Sequence, residues 1–206
     1  MRVEELRNVI FTQRVEVVES YQERRDCADQ RIASFISACG YLPIPVPNNA
    51  GMVQALIANL DPAGIILTGG NSLVKYGGNA PERDAMDMAL IVAASERKIP
   101  LYGFCRGMQS ILDYWGNLLV NVKGHVAVRH KVFGLGAGVE VNSYHNQACL
   151  KISSQEIAAL METEDGVIEM IRHRELPVMA VMWHPERETV FSKEDIEMLN
   201  ILIDNY

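Results

Sequence analysis

Leu101-Tyr102-Gly103-Phe104-Cys105-Arg106-Gly107 sets a cysteine between two glycines, each two residues away, at the end of an apolar run. That spacing describes a nucleophile elbow: a strand stops, the chain turns sharply into a helix, and the central side chain is held out at the tip. A β-carbon at either flank would clash in so tight a turn, which accounts for the glycines. A cysteine there lies beside a helix N-terminus, whose partial positive charge favours the thiolate. Taken alone, the motif fits a buried structural cysteine in a Gly-rich turn better. Trp183-His184-Pro185-Glu186 shifts that balance. The apolar run before it predicts a strand that Pro185 stops, so His184 falls at a strand end. Glu186, two residues on, can fix the imidazole tautomer while the other ring nitrogen faces a nucleophile. Cys105, His184 and Glu186 are therefore the leading catalytic triad. Thr68-Gly69-Gly70-Asn71 follows the apolar strand Gly64 to Leu67. Paired glycines there let backbone N–H groups turn toward a site, and those of Gly70 and Arg106 are the expected oxyanion hole.

These residues need strand ends to hold them. Val9 to Thr12 reads as a short strand and Asp26 to Cys39 as a helix with Ile32, Phe35, Ile36 and Cys39 on one face, ended by Gly40. Tyr41 to Val46 is extended, Gly51 to Asn59 a short helix, and Gly64 to Thr68 the third strand. Arg83 to Glu96 is a long helix, Leu101 to Phe104 the elbow strand, and Met108 to Trp115 its helix. Leu118 to Val141 lacks helical period and reads as hairpins or loops. Strands at Val167 to Arg172 and Val178 to Trp183 follow, then a closing helix from Lys193 to Ile203 capped by Ser192. Strands alternating with helices imply an α/β, three-layer, largely parallel central sheet with ligands at the carboxyl ends of the strands.

Composition sets the outer bounds. Residues 1–206 suit one α/β catalytic domain and leave no room for a second, synthetase domain. A formal charge of −7 without a Lys/Arg run argues against a nucleic-acid partner. The four cysteines at 27, 39, 105 and 149 have no disulfide-scaffold density, which suits a reducing cytoplasm. Histidines and cysteines are scattered without zinc-motif spacing, so no metal is expected. Met-Arg-Val-Glu-Glu lacks the apolar core of a signal peptide, and no apolar run reaches the roughly 20 residues of a membrane span.

The order Thr-Gly-Gly, Gly-Phe-Cys-Arg-Gly-Met-Gln, Trp-His-Pro-Glu resembles that of class I glutamine amidotransferase-like proteins, which have a flavodoxin-like fold. Within them it is most similar to the γ-glutamyl hydrolase (peptidase C26-like) branch. Pro81-Glu82-Arg83-Asp84 and Asn142-Ser143-Tyr144-His145-Asn146-Gln147 carry the likeness to that branch, which usually has a second histidine where Asn146 stands. Phe11-Thr12-Gln13-Arg14, Glu19-Ser20-Tyr21 and Glu23-Arg24-Arg25-Asp26 resemble the small γ-glutamyl-CDP-amidate hydrolases of bacterial capsule phosphoramidate synthesis. In that subgroup a polar loop follows the first strand on the active-site side. The alternative for this stretch is a solvated helix start.

The resemblance implies hydrolysis of a γ-glutamyl amide through a γ-glutamyl thioester, without a cofactor. Its partner is a small-molecule γ-glutamyl substrate, nucleotide-linked in the subgroup, and a homodimer is compatible with it. Gly69, Gln109, Asn142, Ser143, Tyr144 and His145 are then the expected contacts to the glutamyl unit. Arg14, with Arg24 and Arg25, offers planar donors suited to a pyrophosphate or phosphoramidate. Asn142 and Ser143 are also ordinary turn formers, and Gln109 also fits a helix surface. His125 and His130 fit either a contact to an anionic leaving group or a solvated loop. Open alternatives are a γ-glutamyl-GABA-type hydrolase, a glutaminase subunit that passes ammonia to a separate synthetase, and a non-enzymatic binding domain.

Overall fold

The computed structural model describes residues 6–134 and 136–206, with the backbone alone at 137. Met1 to Glu5, which lack a leader core in sequence, lie outside the described residues. In chain order come β1 (Asn8–Phe11), β2 (Arg14–Val18), β3 (Glu23–Cys27), α1 (Gln30–Ala38), β4 (Leu42–Pro45), α2 (Val53–Leu60) and β5 (Gly64–Leu67). Then follow α3 (Pro81–Arg97), β6 (Leu101–Phe104), α4 (Arg106–Tyr114), β7 (Val120–Asn121), β8 (Val126–Gly134), β9 (Gly136–Tyr144) and β10 (Gln147–Ala148). The chain ends with β11 (Ile157–Thr163), β12 (Ile168–His173), β13 (Val178–Val181) and α5 (Lys193–Asp204).

Nine strands form one sheet in the order β4-β1-β5-β6-β13-β12-β11-β8-β9. From β4 to β13 every pairing is parallel, and from β13 to β9 every pairing is antiparallel. The parallel half is buried on both faces, as the uninterrupted apolar runs in its strands require. Successive residues show it: Ile10, Ile65, Leu67 and Leu101 pack against α2, α3 and α4, whereas Val9, Phe11, Ile66, Tyr102 and Phe104 pack against α1 and α5. Pro43 and Pro45 lie in β4 at the sheet edge, where a missing N–H costs no inner ladder bond.

Register brings the carboxyl ends of the central strands level. Leu67 pairs with Gly103 and Phe104 with Val181, so Gly69, Cys105 and Met182 follow at one level. Local signals fix the flanking helices. Asp29 caps α1 by accepting from the Arg31 N–H, Pro81 opens α3, and Ser192 caps α5.

Two expectations need correction, and one strand goes unmarked in the sequence. The predicted helix from Asp26 starts instead at Gln30, because Asp26 belongs to β3 and its carboxylate accepts from the backbone and side-chain N–H groups of Asn48 at 2.9 and 2.7 Å. The polar segment after β1 is neither a loop nor a helix start. It is the β2–β3 hairpin, paired from Arg14–Cys27 to Val18–Glu23. Finally, β11 is a strand that the sequence pattern does not mark. Register shifts around Met161 break the alternation that would have done so. Among the described residues no helix is long and apolar enough to cross a membrane.

Candidate active site

Cys105 sits between β6 and α4 with φ +51° and ψ −110°, a conformation that a side-chain-bearing residue adopts at a cost. The two elbow glycines permit it by close approach. A β-carbon on Gly107 would lie 1.9 Å from the Leu67 carbonyl oxygen, and one on Gly103 would lie 2.9 Å from the Gly107 carbonyl carbon. The turn therefore wedges α4 against the end of β5 and holds Cys105 at the carboxyl edge of the sheet. Arg106 is the first residue of α4, so its N–H has no intrahelical acceptor and remains to serve a ligand.

The Arg106 side chain turns the other way. It is almost completely buried and paired with Asp87 and Asp84 of α3, and it donates to Ser110 Oγ at 3.1 Å. Arg83, one turn away on α3 and also fully buried, grips the chain after β5. Its guanidinium donates to the carbonyls of Thr68 (2.6 Å), Gly69 (2.9 Å) and Gly70 (2.7 Å). Three carbonyls drawn toward α3 leave the neighbouring N–H groups free to turn to the cleft. In the sequence Arg83 stands out only as part of a resemblance, and its position directly after the Pro81-Glu82 helix start is the available signal.

His184 follows β13, and its Nδ1 lies 2.7 Å from Glu186 Oε1. Its Nε2 has no hydrogen-bond partner among the described residues and is left to the Cys105 thiol. Burial alone would lower the imidazole pKa. The negative charge available on Cys105, followed by that on Glu186, overrides it and pushes the pKa up to about 9. Because the folded value exceeds the ordinary one, the stability this charge adds is complete below about 6.5 and is lost as pH rises through about 9. The imidazolium must donate a proton to a leaving nitrogen, so kcat/KM should fall on the alkaline side as His184 loses its charge near about 9. Glu186→Gln, which removes a negative neighbour, should move that limb to lower pH. A pH–rate profile of both proteins checks this, and an unmoved limb would count against Glu186 as the partner.

Gly69 lies directly against the His184 ring. A β-carbon there would lie 2.6 Å from His184 Cε1 and 3.5 Å from the Cys105 β-carbon. Gly69→Ala must therefore displace the ring. A shift of this kind is expected to lower kcat about 100-fold with an unchanged circular dichroism spectrum. Retention of full activity would show that the ring can move without consequence.

The other predicted contacts divide. Gln109, Tyr144 and His145 line a cleft of about 300 Å³ with Cys105, Gly70 and His184. Asn142 and Ser143 do not serve as expected. Asn142 donates to the His184 carbonyl (2.8 Å) and Glu188 (2.9 Å) and accepts from the His184 N–H (3.0 Å), so its amide is spent on positioning the histidine. Ser143 is fully buried and donates to the His125 carbonyl at 2.8 Å. Arg14 lines a second depression on the far side of His184, packed over Gly70 and paired with Glu16 at 2.5 Å. Arg24 and Arg25 are engaged elsewhere, with Glu82 (2.5 Å) and Glu23 (2.6 Å) respectively. Arg187, missed from the sequence, lines both depressions and stacks over the Tyr144 ring at 4.3 Å. Only its place directly after Trp-His-Pro-Glu could have drawn attention to it.

Known proteins resemble this chain in sequence and in fold. Residues 9–132 and 120–186 match the Peptidase C26 family. A gamma-glutamyl-CDP-amidate hydrolase of Campylobacter jejuni is 31% identical over 181 residues, covering 86% of this chain and 89% of that protein. A gamma-glutamyl-gamma-aminobutyrate hydrolase of Escherichia coli O157:H7 is 30% identical, covering 76% of this chain and 77% of its own. Among solved structures, a protein from Thermoplasma acidophilum, provisionally described as part of a GMP synthase, superposes with a TM-score of 0.73 over 99% of this chain and 97% of its own. At 18% identity that likeness speaks to the fold alone.

Proposed function

The chain belongs to the peptidase C26 family and is a hydrolase, and from that premise we propose that it cleaves a γ-glutamyl amide through Cys105, His184 and Glu186. The observation that carries this reading is the His184 ring, tethered to Glu186 at 2.7 Å through one nitrogen with the other left to Cys105. His184 shares the thiol proton, and the Cys105 sulfur attacks the γ-carbonyl carbon. The tetrahedral oxyanion is held by the N–H groups of Gly70 and Arg106, an interaction whose loss typically costs about 2.7–4 kcal/mol. Collapse breaks the C–N bond as the imidazolium protonates the leaving nitrogen. Water, deprotonated by His184, then releases glutamate from the thioester. Gln109 and Tyr144 border the space for the glutamyl unit.

The favoured substrate is γ-glutamyl-CDP-amidate, giving glutamate and cytidine diphosphoramidate. The similarity to the Campylobacter jejuni protein across most of both chains supports it. So does Arg14, whose half-exposed guanidinium stands at Gly70 on the rim, where a diphosphate leaving group would pass. The similarity to the Escherichia coli protein supports γ-glutamyl-GABA as the second reading.

Steady-state kinetics on γ-glutamyl-CDP-amidate, γ-glutamyl-GABA and glutamine decide between them. Arg14→Ala is expected to raise KM for the nucleotide amide roughly tenfold, the scale of one charge-assisted contact, and to leave glutamine hydrolysis nearly unchanged. Good turnover of γ-glutamyl-GABA with none of the nucleotide amide would select the second reading. Turnover of no γ-glutamyl amide would overturn both.

A further inference from the structure

Beside the Cys105 cleft, residues far apart in sequence converge on one buried carboxylate. Glu169 of β12 is completely inaccessible. Its Oε1 lies 3.2 Å from His145 Nε2, 3.4 Å from His130 Nε2 and 3.9 Å from His125 Nδ1. Only the His145 contact has the direction of a hydrogen bond. His125 Nδ1, His130 Nε2 and Glu169 Oε2 are all buried without a partner among the described residues. Orphaned polar atoms are costly in a protein interior, and two orphaned imidazole nitrogens beside one carboxylate, whose second oxygen also lacks a partner, ask for a shared ligand.

We propose that His125 Nδ1, His130 Nε2 and the Glu169 carboxylate form a binding site for a divalent transition-metal ion, zinc by ligand type. The three ligand atoms lie within 4.8 Å of one another. A tetrahedral zinc ion with metal–nitrogen and metal–oxygen bonds of about 2.0–2.2 Å separates its ligand atoms by roughly 3.3–3.5 Å. The His130–Glu169 separation of 3.4 Å already matches, and the His125–Glu169 separation of 3.9 Å needs a closure of a few tenths of an ångström. Two imidazoles and one carboxylate suit zinc or cobalt far better than magnesium or calcium, which take oxygen ligands.

The surroundings fit a ligand shell. The outer nitrogen of His125, Nε2, lies 3.0 Å from Asp165 Oδ2, and Thr163 Oγ1 donates to the other Asp165 oxygen at 2.5 Å. A carboxylate behind a histidine fixes the tautomer that leaves the inner nitrogen's lone pair free for a metal. His145 steadies Glu169 from the cleft side. His125 and His130 also border a depression lined by Lys123, Lys131 and Asp165, from which water or a small anion could supply a fourth ligand. A bound ion would tie the start of β8 to β12. Through Glu169 and His145 it would also brace the wall of the Cys105 cleft.

The test is metal titration, after chelator treatment, of the Cys105→Ser chain, in which the Cys105–His184 pair no longer competes for metal. Zn²⁺ should bind with one equivalent per chain, and Co²⁺ should give the visible d–d bands of a low-coordinate site. At 100-fold excess over Kd, Zn²⁺ should raise the melting temperature by roughly 5–10 °C. His130→Ala and Glu169→Gln are each expected to weaken binding about 100-fold or more. Asp165→Asn, at a side chain 61% exposed and so harmless to folding, should weaken it about tenfold. His173→Ala, outside the cluster, should bind as the parent does. The proposal is overturned by the absence of stoichiometric Zn²⁺ and Co²⁺ binding, by binding unaffected in both His130→Ala and Asp165→Asn, or by binding that requires Cys105.

Discussion

Cys105→Ala is expected to lose γ-glutamyl amide turnover by a factor on the order of 10⁴–10⁶, because members of a nucleophile–base pair act as a unit. The fold should survive. Close approach at Gly103 and Gly107 sets the elbow, and alanine tolerates the Cys105 backbone as well as cysteine does. Far-UV circular dichroism and the melting temperature should be unchanged. His184→Ala should be nearly as inactive, whereas Glu186→Gln retains a ring held by packing against Phe104 and Tyr144 and should lose less. A γ-glutamyl electrophile should label Cys105 stoichiometrically, as peptide mass spectrometry can read. The other thiols have reason to stay silent: burial pushes Cys39 up to about 12 and also raises Cys149. Cys27 lies on β3 and lines the second depression, with Arg14 and His184, rather than the Cys105 cleft. Labelling at Cys27, Cys39 or Cys149 instead of Cys105 would remove the nucleophile assignment.

What can be read in advance follows from where each constraint acts. The placement of the elbow, His184 and Glu186 is legible because paired glycines and a proline mark strand ends and apolar runs lead up to them. The parallel half of the sheet is legible for the same reason. The β2–β3 hairpin is not: Glu23-Arg24-Arg25-Asp26 has no apolar alternation, since β3 is exposed over those residues and Val15 of β2 alone in the ribbon is buried. The β8–β9 hairpin is similarly exposed along most of β8. Asn142 and Ser143 illustrate a different limit. A residue able to bind a substrate can equally bind the backbone, and only geometry reveals that Asn142 holds His184. The expectation of no metal rests on spacing along the chain, which is blind to ligands from β8 and β12. Those strands are brought together by way of β11.

The largest expected effect on stability lies behind the elbow. Arg106 and Asp87 are each only 1% exposed, and their ion pair joins α4 to α3 at the first residue after the nucleophile. Asp87 also accepts from Ser110 Oγ at 2.8 Å. Asp87→Ala would leave a buried guanidinium with Asp84 as its remaining carboxylate partner, and Asp84 is partly solvated. Breaking such a pair by removing one partner costs about 3–5 kcal/mol. Asp84 places the expected loss toward the lower end, a fall in melting temperature of roughly 6–12 °C for a domain of this size. Activity should fall as well, because the face of α3 that holds Arg106 also presents Arg83 to the carbonyls of Thr68, Gly69 and Gly70. A shift of α3 would move both sides of the proposed oxyanion site at once. Arg106→Met combined with Asp87→Leu removes both charges and should recover most of the lost stability, since a well-packed apolar pair can replace a buried ion pair. Thermal unfolding of the single and double variants separates the terms. A single variant within about 1 kcal/mol of the parent would mean that the guanidinium finds water or another acceptor, and that α3 is not held to the elbow by charge.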